Sequence, residues 1–283
     1  MKSTYQHAED TFTGPENKKI FFQRWLPEGE VRGLILIVHG LGEHSRRYQN
    51  LIDHLLPENF GFYAPDHIGH GKSEGTPGHI QRLEHLIHPL ETISKRIRED
   101  HPRVPLFIFG HSMGGLLTGC FLSRYDHPFQ GAVLSSPSVS TPDSISPLTV
   151  LVGKLLSRLA PRMPLSELDA EQLSRDPRVV EEYQQDPLVF HGKYSARFAS
   201  ELLVGIQQVR ADAGDITLPV LSLAGGKDTI SPAEETRAYH DMIGSREKTF
   251  HLYPELRHEL INAPEKDQVL MDIGRWLSDQ LET

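Results

Sequence analysis

The 283-residue chain is 38% apolar and 24% charged, enough apolar surface for a packed core, which excludes a disordered polyelectrolyte. Its 29 Lys and Arg stand against 38 Asp and Glu, and the net charge of −9 repels polyanions, so no nucleic-acid partner is expected. One cysteine excludes an internal disulfide, no stretch approaches about 18 uninterrupted apolar residues, and MKSTYQHAEDTF lacks an apolar segment behind its lysine; the expectation is a cytoplasmic protein without leader or membrane span.

Two strand-like segments open the chain, Asp10 to Thr13 and Lys19 to Trp25, and the turn-rich Gly14-Pro15-Glu16-Asn17 between them predicts a β-hairpin. Gly33 to Val38 is a continuous apolar run, the pattern of a strand buried on both faces of a parallel sheet. The loop after it, His39-Gly40-Leu41-Gly42-Glu43-His44, has glycines that free the backbone to turn amides inward. Another strand run follows at Phe60 to Ala64. His79, His85 and His88 in GHIQRLEHLIH have no metal-site spacing such as HExxH, so they are read as helix-face or surface histidines and no metal is expected.

Pro105 to Phe109 is the next strand run, followed by Gly110-His111-Ser112-Met113-Gly114 and a helical stretch from Gly115 to Tyr125. GxSxG alone is a weak signal, but strand, sharp turn and helix around it are the nucleophile elbow, which exposes the Ser112 hydroxyl. Cys120 lies within that helix in LLTGCFL, where a buried, inert thiol is expected. After the run Gly131 to Leu134, the strand signal fades from Ser138 to Gly214, and amphipathic pieces such as Leu148 to Leu159 appear among prolines. This divides the chain into a sheet domain, 1–137 and 215–283, and an inserted helical cap, 138–214. The apolar helix Leu148 to Leu159 either packs on the sheet domain or forms a lid that touches a membrane surface and admits lipid.

The rhythm resumes with Pro219 to Ala224 and the turn Gly225-Gly226-Lys227-Asp228, at a strand's carboxyl end, where open α/β sheets gather their sites. Ser231-Pro232-Ala233-Glu234 and Asn262-Ala263-Pro264-Glu265 predict capped helix starts. Between them, Phe250 to Tyr253 is a strand run, and His258 lies in the loop beyond it; His251 falls within the strand, and Glu255 and Glu259 do not match the acid's position.

A serine hydroxyl needs a base and an acid that orients the base, in chain order Ser, Asp, His. Ser112, Asp228 and His258 meet that order in an α/β-hydrolase fold, a mostly parallel sheet flanked by helices. The Met113 N–H, next to the nucleophile, and the Leu41 N–H are the expected oxyanion donors. Acylation of Ser112 and hydrolysis of the acyl-enzyme require no cofactor.

HGLGEHSRRY (39 to 48), YAPDHIGHGKSEG (63 to 75), FGHSMGG (109 to 115), YQQDPL (183 to 188), GGKDTIS (225 to 231) and RHELINAPE (257 to 265) resemble the monoacylglycerol lipase family, near the lysophospholipases and serine aminopeptidase-like hydrolases. The resemblance implies hydrolysis of a small lipid ester, monoacylglycerol, under a cap that covers an apolar acyl tunnel, with Tyr183 and Glu43 near the glycerol end. A lysophospholipase, a carboxylesterase, a prolyl aminopeptidase and a silent binding protein are the alternatives on this fold. Epoxide hydrolases and dehalogenases of this fold place Asp where this chain has Ser112.

Overall fold

The computed structural model describes residues 5–140 and 156–282. In chain order the strands are β1 Tyr5–Thr13, β2 Lys19–Pro27, β3 Gly33–Val38, β4 Phe60–Pro65, β5 Leu106–His111, β6 Gly131–Ser135, β7 Pro164–Ser166, β8 Tyr194–Ser195, β9 Val220–Gly225 and β10 Lys248–Tyr253. Eight of them form one sheet in the order β1-β2-β4-β3-β5-β6-β9-β10, while β7 and β8 pair separately. Only β2 runs against its neighbours; from β4 to β10 every pairing in this sheet is parallel. The fold is an α/β-hydrolase fold. The hairpin extends further than expected at its start because residues 5–9 carry no apolar alternation; backbone pairing from Tyr5↔Pro27 to Thr13↔Lys19 holds that mostly exposed strand.

The continuous apolar runs are explained by the two faces they supply. Leu34, Leu36 and Val38 of β3 and Leu106 and Ile108 of β5 pack on one side. Ile35, Ile37, Phe107 and Phe109 pack on the other. The helix Glu84–Asp100 covers the first face with Leu86, Ile87, Leu90, Ile93 and Ile97, a helical spacing, joined by Met113–Arg124. Gln49–Leu55 and Lys266–Leu281 cover the second with Leu51, Ile52, Leu55, Val269, Ile273, Trp276 and Leu277. Fully burying each such side chain contributes about 1.5–3 kcal/mol, so both layers are firmly fixed to the sheet.

Two helix starts differ from expectation. Ala233–Met242 begins after Pro232, and Ser231 does not cap it: the Ser231 N–H donates to Asp228 Oδ1 at 2.9 Å, which draws the residue into the turn before the helix. Lys266–Leu281 begins after Glu265 without a side-chain cap. Asn262 is occupied elsewhere, donating to Glu259 Oε2 and accepting from Asn50, each at 2.9 Å. Most of the expected helix Leu148 to Leu159, including Leu151 and Leu155, lies outside the described residues. Within 156–214 the helices Pro177–Gln185 and Ala196–Ala211 appear, and also the short strands β7 and β8, which the fading strand signal did not announce.

Candidate active site

Strands β3 and β5 are neighbours in the sheet, yet β3 continues toward β4 on one side and β5 toward β6 on the other. The loops leaving their carboxyl ends diverge and open a crevice, the usual place for a site in such sheets. Ser112 stands at the end of β5 with φ 53° and ψ −121°, a left-handed backbone that a serine adopts only when its surroundings hold it there. They do so with four backbone hydrogen bonds: the Ser112 N–H donates to the Ser135 carbonyl at 3.0 Å, and its own carbonyl accepts from Gly115, Leu116 and Ser138 at 2.9, 3.2 and 3.0 Å. Glycine is required at 114 because a Cβ there would overlap the Val38 carbonyl, where the elbow crosses the end of β3.

Asp228 follows β9 and His258 follows β10. Gly226 N–H donates to the Tyr253 carbonyl at 2.8 Å and Lys227 N–H to the Leu256 carbonyl at 2.9 Å, which zips the two loops together. His258 Nδ1 lies 2.8 Å from Asp228 Oδ2, and Asp228 Oδ1 accepts from the Ile230 and Ser231 N–H groups at 2.8 and 2.9 Å. With a carboxylate as its partner, Nδ1 carries the proton, and Nε2 is left as the basic nitrogen. Both residues are buried, and the His258 ring packs 4.9 Å from His111. His111 donates from Nδ1 to the Ser135 carbonyl at 3.1 Å, and burial holds its pKa below the ordinary value, which favours the neutral ring beside His258.

Ser112, His258, His111, Gly40, Leu41, Glu43, Glu259, Leu168, Leu173 and Tyr183 line one small cavity of about 10 Å³. Among the described residues, the Ser112 hydroxyl bonds to the Ser138 hydroxyl at 3.2 Å and no hydrogen bond joins it to His258. Neither the Leu41 nor the Met113 N–H donates to another described residue, as expected of a loop amide and a first-turn helix amide left free for a ligand. A larger cleft of about 570 Å³ is lined by Arg47 and by other charged groups such as Arg46, Asp176, Glu182 and Lys266.

Glu43 and Tyr183 reach the cavity, but Glu43 is not a free carboxylate. Its Oε1 accepts from the Gly40 N–H and the Tyr48 hydroxyl, both at 2.6 Å, and its Oε2 lies 3.3 Å from Arg47 Nε. Arg47 reaches on to Glu259 at 2.7 Å and lies over the Tyr183 ring, 4.8 Å from its centre. Burial alone would raise the Glu259 pKa, but the Arg47 charge and the Asn262 amide outweigh it and hold it below the ordinary value. Sequence reading set Glu259 aside and did not single out Arg47; the only signal was the i, i+4 spacing of Glu43 and Arg47. The hydroxyl of Tyr183 has no partner among the described residues.

The remaining candidates lie elsewhere. Cys120 is buried, and desolvation pushes its thiol up to about 12, so it stays protonated. His79 bonds Ser195 at 2.8 Å, His85 lies 3.8 Å from Glu16, and His88 packs on Tyr125. His251 sits in β10, 3.5 Å from Asp272, and Glu255 pairs with Lys227 at the surface.

Residues 29–265 match the hydrolase family described as serine aminopeptidase, S33. The monoacylglycerol lipase of Mycolicibacterium smegmatis is 36% identical over 97% of this chain and 98% of its own, and the monoglyceride lipase of Rattus norvegicus 32% identical over 94% and 89%. The crystal structure of the Paleococcus ferrophilus monoacylglycerol lipase superposes with a TM-score of 0.80 at 32% identity, covering 98% of this chain and 99% of that one. The chain belongs to the monoacylglycerol lipase family of serine α/β-hydrolases and is a carboxylic ester hydrolase.

Proposed function

We propose that the chain hydrolyses monoacylglycerols to glycerol and a fatty acid, with Ser112 as nucleophile, His258 as general base and Asp228 as the acid that orients it. The observation that carries this reading is the 2.8 Å bond between His258 Nδ1 and Asp228 Oδ2, with His258 and the strained Ser112 lining one cavity. His258 Nε2 takes the Ser112 proton as Oγ attacks the ester carbonyl. The free amides of Leu41 and Met113 receive the oxyanion, each contributing on the order of 3 kcal/mol in comparable sites. His258 then protonates the leaving glycerol, and water activated by the same nitrogen releases the fatty acid.

Residues 138–214 act as the cap in this reading, because Leu168, Leu173 and Tyr183 roof the cavity. About 10 Å³ is little more than room for one water, so an ester enters only when roof side chains move aside. Tyr183, whose hydroxyl has no partner among the described residues, faces the alcohol end, while Glu43 acts through Gly40 and Arg47. Contact of the cap with a lipid surface is supported by three exposed apolar side chains, Leu159, Met163 and Leu165.

Hydrolysis rates on monoacylglycerols of increasing length test this reading. Each methylene buried in a dry, fitting channel raises the specificity constant by up to about fourfold until the channel is full. Triacylglycerols are poor substrates. A flat length profile, or faster cleavage of lysophospholipids or prolyl peptides, would reassign the substrate class.

A further inference from the structure

Among the described residues, a hydroxyl outside the proposed triad touches the proposed nucleophile. Ser138 Oγ lies 3.2 Å from Ser112 Oγ, and the Ser138 N–H donates to the Ser112 carbonyl at 3.0 Å, so two bonds fix Ser138 against the same residue. Its neighbours are anchored as well. Val139 is fully buried, and its carbonyl accepts from Arg210 Nη1 at 3.1 Å, while Arg210 also pairs with Glu235 at 3.0 Å. On the other side, a Cβ at Gly115 would overlap Pro137, which shows how closely residues 137–139 lie on the start of the nucleophile helix.

We propose that the Ser138 hydroxyl is a catalytic group for deacylation, donating a hydrogen bond to Ser112 Oγ as the acyl group leaves it; this rests on Ser112 forming an acyl-enzyme. In that step water adds to the acyl carbonyl and gives a proton to His258. The bond between the acyl carbon and Ser112 Oγ then breaks, its electron pair goes to Oγ, and His258 returns the proton there. Ser138 keeps its own proton throughout. An ester oxygen is a weak acceptor and a departing alkoxide a strong one, so the bond from Ser138 strengthens as deacylation proceeds. In acylation the gain is smaller. The resting Ser112 hydroxyl is already within hydrogen-bond distance of Ser138, so part of the interaction exists before attack.

Pre-steady-state kinetics on a p-nitrophenyl ester of a medium-chain acid separate the two steps. The expected result for Ser138→Ala is deacylation slowed about tenfold, the rate equivalent of one hydrogen bond, with acylation within about threefold of wild type and acyl-enzyme accumulating. Ser138→Thr, which keeps a hydroxyl, should restore deacylation to within about threefold. Ser138→Gly should match Ser138→Ala and serves if the alanine variant folds poorly. Deacylation within about twofold of wild type in both deletion variants overturns the assignment, as does an equal fall of both steps that Ser138→Thr does not rescue. Ser112→Ala distinguishes the underlying reading: a burst that persists there places the acyl group on a residue other than Ser112, whereas its loss beside normal Ser138 variants removes only the role of Ser138.

Discussion

Asp228 uses both carboxylate oxygens, one on two backbone amides and the other on His258, so its position is set independently of the histidine it bonds. Asp228→Asn should therefore fold normally and slow ester hydrolysis by about 10³- to 10⁴-fold, because an amide can donate to Nδ1 and place the ring proton on Nε2. Steady-state kinetics on a monoacylglycerol check this, and activity within a few-fold of wild type would reassign the acid. The placement of Ser112, Asp228 and His258 after β5, β9 and β10 was legible in the sequence because each follows a recognisable strand run. The contacts of Glu43, Arg47 and Glu259 were not legible: the resemblance put Glu43 near the glycerol end and Glu259 only flanks His258, yet both close on Arg47, Glu259 from 212 residues along the chain.

Arg47, just before the helix Gln49–Leu55, ties the loop after β3 to the loop after β10, and through its ring contact to Tyr183 of the helix Pro177–Gln185. Its pKa is raised despite burial, because Glu259 and Glu43 favour the charged form. Arg47→Ala would strand two buried carboxylates and should cost about 3–5 kcal/mol of stability, read from urea unfolding. A loss under about 1 kcal/mol would mean that the ion network is not structural. The sheet strands were legible because two buried faces impose unbroken apolar runs. The helix starts were less so: Ser231 and Asn262 have the residue types of caps, but Asp228 claims Ser231's backbone and Glu259 claims Asn262's side chain first. The short strands β7 and β8 were invisible for another reason, since two or three residues are too few to show a period.

Across the whole molecule, the loops at the carboxyl ends of β3 and β4 meet over a cluster of buried histidines. The rings of His39 and His67 are 4.1 Å apart, and His70 stands 5.5 Å from His39. Burial pushes all three pKa values below the ordinary value, His67 to about 3. In the unfolded chain each histidine titrates near about 6.5. Below that pH the unfolded state takes up protons that the folded state refuses, so the stability present above about 6.5 is lost as pH falls toward the folded values. Each such histidine contributes a slope of up to about 1.4 kcal/mol per pH unit. Urea midpoints should therefore fall steadily between pH 7 and pH 5, and a flat profile would contradict neutral burial of the cluster.

The most direct test of the central claim, that Ser112 carries the acyl group of a glyceryl ester, is mass spectrometry of enzyme quenched during turnover of a medium-chain monoacylglycerol. The account predicts an added fatty acyl mass on the peptide containing Ser112, present in Asp228→Asn and absent in Ser112→Ala, with glycerol released in equal amount at the first turnover. An acyl mass on another residue, or undiminished turnover by Ser112→Ala, would contradict it.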